Sequence, residues 1–185
     1  GGQEGGGGAG GGGCDAGPLG AALWSDSYGS DTNDSQGPLI HVGASNVVAL
    51  GFSHGSADLG QGPLPYAGGR EIWAAKFNQT GSPVWSKSFG NSGDDFVRAA
   101  AADGAGNVVF SAAFEGTVDY GGGPLTGAGL GDRSLVKLDA NGNHVWSRRT
   151  GTTSQDPPFE SIGIDTAGNI FAGGECTTVC DVGGG

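Results

Sequence analysis

The sequence predicts an all-β fold of four-stranded antiparallel blades, one blade for each 61-residue repeat. Three observations carry this. Trp24, Trp85 and Trp146 stand 61 residues apart, and a fixed period of that size marks copies of one supersecondary unit. Each tryptophan is followed by Ser (Ser25, Ser86, Ser147), then five residues on by Gly (Gly29, Gly90, Gly151), then ten on by Asp (Asp34, Asp95, Asp156). No segment sustains a helical period, whereas short β-branched and aromatic runs bounded by Gly, Asn and Asp recur throughout.

Residues 1–20 form a glycine-rich leader. Glycine loses the most entropy on ordering and offers nothing to bury, so this stretch is expected to be a disordered, flexible tether. Residues 21–185 hold the repeats, about 24–84, 85–145 and a truncated 146–185. The middle copy shows the unit best. PVWSKSF (83–89) reads as one strand, DFVRAAAA (95–102) as the next, and the Gly104–Gly106 turn joins it to NVVFSAAF (107–114) as a hairpin. GTVDYGGGPLTGAGLG (116–131) is an added loop with a short ribbon. DRSLVKLD (132–139) follows, and Ala140–Asn143 turns it into the next tryptophan strand, HVWSRRT. The phrase ADLGQGPL (57–64) matches VDYGGGPL (118–125), and VCDVGGG (179–185) starts it again. In the first copy GPLIHVGAS (37–45) replaces the regular hairpin, so an irregular first strand is expected there.

NVVALGF, NVVFSAAF and NIFAGG are apolar on both parities. Such strands are covered on both faces, and their Ala and Gly content requires close layers. Sheets stacked in a ring meet this demand, as in a β-propeller; an open solenoid is the alternative. The last copy stops at Gly183–Gly185, where the earlier ones continue into Pro63–Leu64 and Pro124–Leu125. The expectation is therefore an incomplete ring, a fragment to which further repeats of the same chain belong.

With 19 acidic against 8 basic residues and a net charge of −11, the chain has no basic stripe. Nucleic acid and anionic membrane surfaces are poor partners. No apolar stretch is long enough to span a bilayer.

The series W-S-K-x-F-G…D-D, G-N-V-V, G-T-V-D-Y-G-G-G-P-L and K-L-D-A-N-G-N-H-V-W resembles the SBBP-type β-propeller repeat over residues 24–185. That resemblance implies a seven-bladed propeller in a bacterial surface or secreted protein, often a lipoprotein, and it implies no catalytic residues. FNQTGSPVW and LDANGNHVW are also similar to the blade-docking phrase of quinoprotein propellers. There the tryptophan packs one blade on the next, a structural role expected here for Trp24, Trp85 and Trp146.

Clustered oxygens at Asp31–Asn33–Asp34, Asp94–Asp95 and Asp139–Asn141–Asn143 invite calcium, but the spacing fits no twelve-residue calcium loop. Asp34, Asp95 and Asp156 are expected to bond backbone in a turn where a strand starts. No cofactor and no metal ligand set is assigned. His41, His54 and His144 fall at different points of the repeat. Trp73, where the next copy has Ser134, is expected to fill space in its own blade rather than stack a sugar. Cys176 and Cys180 replace Phe114 and Val118, which flank a short turn, so a disulfide between them is expected in an exported protein. Cys14 stands alone, without the apolar residues of a lipidation box.

These features predict a non-enzymatic extracellular or cell-surface scaffold that binds a protein or glycan through loops at one end of the ring, chiefly the GGGPL loops. A quinoprotein-like oxidoreductase carrying a quinone (the PQQ type) is one alternative. A carbohydrate-active propeller, which needs paired carboxylates, is another.

Overall fold

The computed structural model describes residue 30 and residues 34–42, 46–129, 131–150 and 157–175. The leader 1–20, Trp24, Asp156, Cys176 and Cys180 lie outside the described residues. Within them the chain is all-β, with several small antiparallel sheets and no helix.

Strands β1 (Asp34–Val42), β2 (Asn46–Ser53), β3 (Glu71–Phe77) and β4 (Pro83–Phe89) form a four-stranded sheet in chain order. Strands β5 (Phe96–Ala102), β6 (Val108–Phe114), β9 (Asp132–Leu138) and β10 (His144–Thr150) form the second, in the same up-and-down order. Between β6 and β9 a ribbon of β7 (Thr117–Asp119) and β8 (Pro124–Thr126) occupies the expected insertion. Strands β11 (Ser161–Ile164) and β12 (Ile170–Gly173) make the matching first hairpin of the third copy. The first copy is irregular where the sequence suggested: β1 pairs with β2 across a register shift between Gln36 and Leu39. Strand β5 carries a related bulge between Val97 and Ala99.

The two large sheets pack face to face. Val48, Leu50, Ile72 and Ala74 of the first meet Phe110, Ala112, Val136 and Leu138 of the second in one buried cluster. Strand β6 is buried along its whole length, as its two-sided apolar sequence demands. On the opposite face of the first sheet, Ala49, Ala75 and Phe77 are closed over by Leu59, with Trp73 and Leu64 packed beside them. Trp73 therefore fills space in its own repeat, with its indole Nε1 buried and without a hydrogen-bond partner.

The glycine-rich ribbon also belongs to the frame. Tyr120 is inserted between the sheets, its ring 5.6 Å from Phe89 and 5.9 Å from Phe110, and its hydroxyl lies 2.9 Å from Ser134 Oγ. Complete burial pushes the phenol upward and keeps it protonated. Replacing Tyr120 with Phe keeps the ring packing and removes one buried hydrogen bond. It is expected to cost about 1 kcal/mol, read as a small fall in melting temperature with no change in the far-ultraviolet spectrum.

The turns repeat in atomic detail. Asn78 Oδ1 accepts the Thr80 and Ser82 N–H groups; 61 residues on, Asp139 Oδ1 accepts those of Asn141 and Asn143, both at 2.8 Å. Asp103 and Asp165 do the same for Ala105 with Asn107 and for Ala167 with Asn169. Asp58 and Asp119 likewise close the Gly60–Gly62 and Gly121–Gly123 loops. The glycines Gly81, Gly106, Gly142 and Gly168 all take φ between 78° and 85°, the left-handed conformation these turns need. At Asp139 and Asp165, bonds from the Asn143 and Asn169 groups hold the carboxyls below the usual range. The Asp139–Asn141–Asn143 series is thus a turn.

Candidate ligand pocket

One end of the sheets gathers the start of β3, the start of β5, the end of β6 and the flanks of β11 and β12. The frame here is built from carboxylates that bond backbone. Asp95 is fully buried; its Oδ2 accepts Asn91 N–H at 2.9 Å and its Oδ1 accepts Glu115 N–H at 3.2 Å. The expected turn bond is therefore present, and a second bond reaches across to the β6–β7 turn. Burial, only partly offset by those two bonds, pushes the Asp95 carboxyl up to about 6, helped by the neighbouring charges of Glu71 and Glu115. Asp34 opens β1 at the equivalent position.

Glu71 and Asp132 occupy equivalent positions at the starts of β3 and β9. Each accepts the N–H of the residue four before it, Ala67 or Ala128, both at 2.9 Å. Burial raises the Glu71 carboxyl. Asp132 is further bonded by Arg149 at 2.9 Å. Because these contacts recur with the repeat, they read as architecture.

The residues that do not recur lie next to them. Arg70 (Gly131 in the next copy) bonds Asp94 through its guanidinium at 2.6 Å and through its backbone N–H at 3.1 Å. This bond holds the Asp94 carboxyl below its usual range. Asp95 N–H in turn donates to the Arg70 carbonyl at 2.8 Å. These bonds tie the two sheets together at that end. The Arg70 guanidinium sits 5.3 Å from the Phe96 ring centroid and 5.6 Å from that of Phe52. Arg98 stands over Phe96 at 6.0 Å. Together with Asp94, Glu115 and Glu175, these groups line a cavity of about 420 Å³. Its far wall, Pro157 and Pro158, is held from behind by the buried Arg133. That guanidinium donates to the carbonyls of Thr150, Pro157 and Glu175 and lies 4.6 Å from the Phe159 ring.

Frame and lining separate cleanly in the sequence. Trp85, Asp95, the turn aspartates and the turn glycines recur every 61 or 62 residues. The lining positions do not: Arg70 faces Gly131, Phe96 matches Ser35 and Pro157, Arg98 matches Gly37 and Phe159, and Glu115 matches His54 and Cys176. The repeat search found the frame and passed over these residues because they break the pattern.

The other expected site differs in place. The GGGPL tip does not stand free at this end: Gly121 and Gly122 pack against the His144 side chain at the start of β10. Among the tryptophans, Trp85 is buried, and its Nε1–H donates to the Ala140 carbonyl of the second sheet at 3.2 Å. Trp146 is half-buried beside Leu135, Phe159 and Phe171, along a second cavity of about 620 Å³. Among the described residues no group of three or more His, Cys, Asp or Glu side chains is placed to hold a metal ion, and no helix is long and apolar enough to cross a membrane.

No protein-family model matches the chain, and no curated protein matches it.

Proposed function

We propose that the chain is a non-enzymatic, exported β-propeller scaffold of the SBBP type that binds a ligand at the end of its sheets, in the pocket between Arg70, Phe96, Arg98 and Glu115. The propeller arrangement is supported by the placement of the first strands. Strand β5 lies between β1 and β11, and each sheet runs outward from that row. Neighbouring blades of a propeller set their inner strands side by side in this way. The binding role is carried by one observation: the positions that depart from the repeat converge on one cavity, while the recurring ones hold the frame. A scaffold under a single folding constraint repeats its frame, and chemistry that serves a ligand has no reason to repeat.

Arrays of peptides and glycans probed with this chain test the proposal. Phe96→Ala and Glu115→Ala are expected to weaken the bound signal about tenfold or more, the equivalent of 1.4 kcal/mol. Thr126→Ala, on the exposed face of the ribbon, is expected to leave it unchanged. Signal lost on the ribbon change alone would move the site to the GGGPL loop. Cleavage or oxidation of any arrayed compound would overturn the non-enzymatic assignment.

A further inference from the structure

We propose that the pocket takes a small ligand bearing a single carboxylate, clasped by the Arg98 guanidinium. The inference rests on the pocket being the binding site, and it names the chemistry bound there.

Three features of Arg98 lead to it. The residue sits in the β5 bulge, skipped by the ladder between Val97 and Ala99, and bulges re-aim the side chain they carry. Its guanidinium rests on the Phe96 ring and has no carboxylate partner among the described residues. The ion pairs there are Arg70–Asp94, Lys137–Asp103 and Arg149–Asp132. Arg70 shares the same ring, but Asp94 neutralises it at 2.6 Å. The pocket therefore holds one exposed, supported and uncompensated guanidinium, whose planar fork matches a carboxylate through two parallel hydrogen bonds.

The remaining wall limits the ligand's charge and size. Asp94, Glu115 and Glu175 line the same cavity, and the chain as a whole carries −11. A dianion such as phosphate or sulfate meets this repulsion twice over, whereas a monoanion held at Arg98 meets it once. The same carboxylates accept hydrogen bonds from hydroxyl or amide groups on the ligand body. About 420 Å³ lies at the small end of the range for ligand sites and suits one sugar ring or one acylated amino acid. The shared chemistry is a carboxylate on a body rich in donors, and two sources supply it: a uronic acid or an acidic amino-acid residue.

Calorimetric titration of the full chain with glucuronate, N-acetylglutamate, glucose, N-acetylglutamine and inorganic phosphate separates the cases. Binding is expected for one or both carboxylates and not for their neutral counterparts, and whichever binds identifies the source. Arg98→Gln is expected to weaken that binding about tenfold or more, and Arg98→Lys to retain part of it. The side chain is exposed, so the melting temperature of either variant stays that of the parent. Neutral compounds binding as well as the acids, phosphate binding more tightly than either acid, or carboxylate binding indifferent to Arg98→Gln would each overturn the carboxylate assignment. If that binding is still lost in Phe96→Ala, the pocket stands as the site. Binding of any probe that survives both Arg98→Gln and Phe96→Ala would overturn the pocket as well. Absence of binding by both acids up to millimolar concentration would sink the proposal.

Discussion

Trp85→Ala is expected to destabilise the chain by about 3–5 kcal/mol, the range for removing a buried large aromatic side chain. At roughly 2–4 °C per kcal/mol for a chain of this length, the melting temperature falls by about 6–20 °C. The side chain does two things at once. It is 9% exposed within the main core cluster, and its indole N–H caps the Ala140 carbonyl at 3.2 Å, a carbonyl that Lys76 Nζ also approaches at 2.9 Å. The fit is tight: a methyl group at Gly142 would lie 2.8 Å from the ring's Cδ2. Loss of the ring leaves a cavity between the sheets and one fewer donor on that carbonyl, and the glycine turn cannot collapse into the space without giving up its φ of 78°. Trp146→Ala is the control. That residue is only half-buried, so its loss is expected to cost clearly less. Equal effects of the two substitutions in thermal melts would show that Trp85 does not join the sheets as the geometry indicates.

The second large effect is a dependence on pH set by Asp95. Its carboxyl is raised from an ordinary value of 3.8 to about 6 in the folded chain. A raised folded value means that the native state binds the proton more tightly than the unfolded state. The stabilising contribution is therefore fully present below about pH 4. It is lost as pH rises towards 6, where the carboxyl ionises while buried beside Glu71 and Glu115. A shift of about two units corresponds to about 3 kcal/mol. Glu71, also raised by burial, acts with the same sign. Asp94 and Asp103, both held below the ordinary range, act with the opposite sign, and their contribution is lost only as pH falls below about 4. The test is the difference in unfolding free energy between the parent chain and Asp95→Asn, measured from pH 4 to pH 7. Asparagine cannot ionise and still accepts one of the two backbone bonds. The variant is expected to be less stable than the parent at pH 4 and to gain on it by about 3 kcal/mol by pH 7. A constant difference across that range would show that Asp95 ionises normally in the folded chain.

Strand number, strand order and the place of the ribbon were legible in the sequence because each depends on local chemistry that the repeat states more than once. NVVFSAAF is apolar on both parities, so it had to be covered on both faces, and β6 is. Asp139–Asn141–Asn143 resembled a cation loop until its earlier copy, Asn78–Thr80–Ser82, showed a turn, and both segments make the same backbone bonds. The recurring aspartate was legible only in part. Its bond to its own turn follows from position, but the bond from Asp95 to Glu115 N–H joins residues 20 apart and arises from how the two turns meet.

By itself the sequence determined the all-β class, the 61-residue unit, the four strands in each complete sheet and the turn chemistry, because these are set by patterns within a few residues of one another. The tertiary structure alone decided which of the equivalent residues matter. It buried Trp85 under the β9–β10 turn and left Trp146 half open. It laid the GGGPL tip against His144 instead of leaving it free. It also gathered Arg70, Phe96, Arg98 and Glu115, none of them part of the repeat, around one cavity. A period reveals what every copy shares, whereas the pocket is made of what the copies do not share, and only the packing of adjacent sheets brings those positions together.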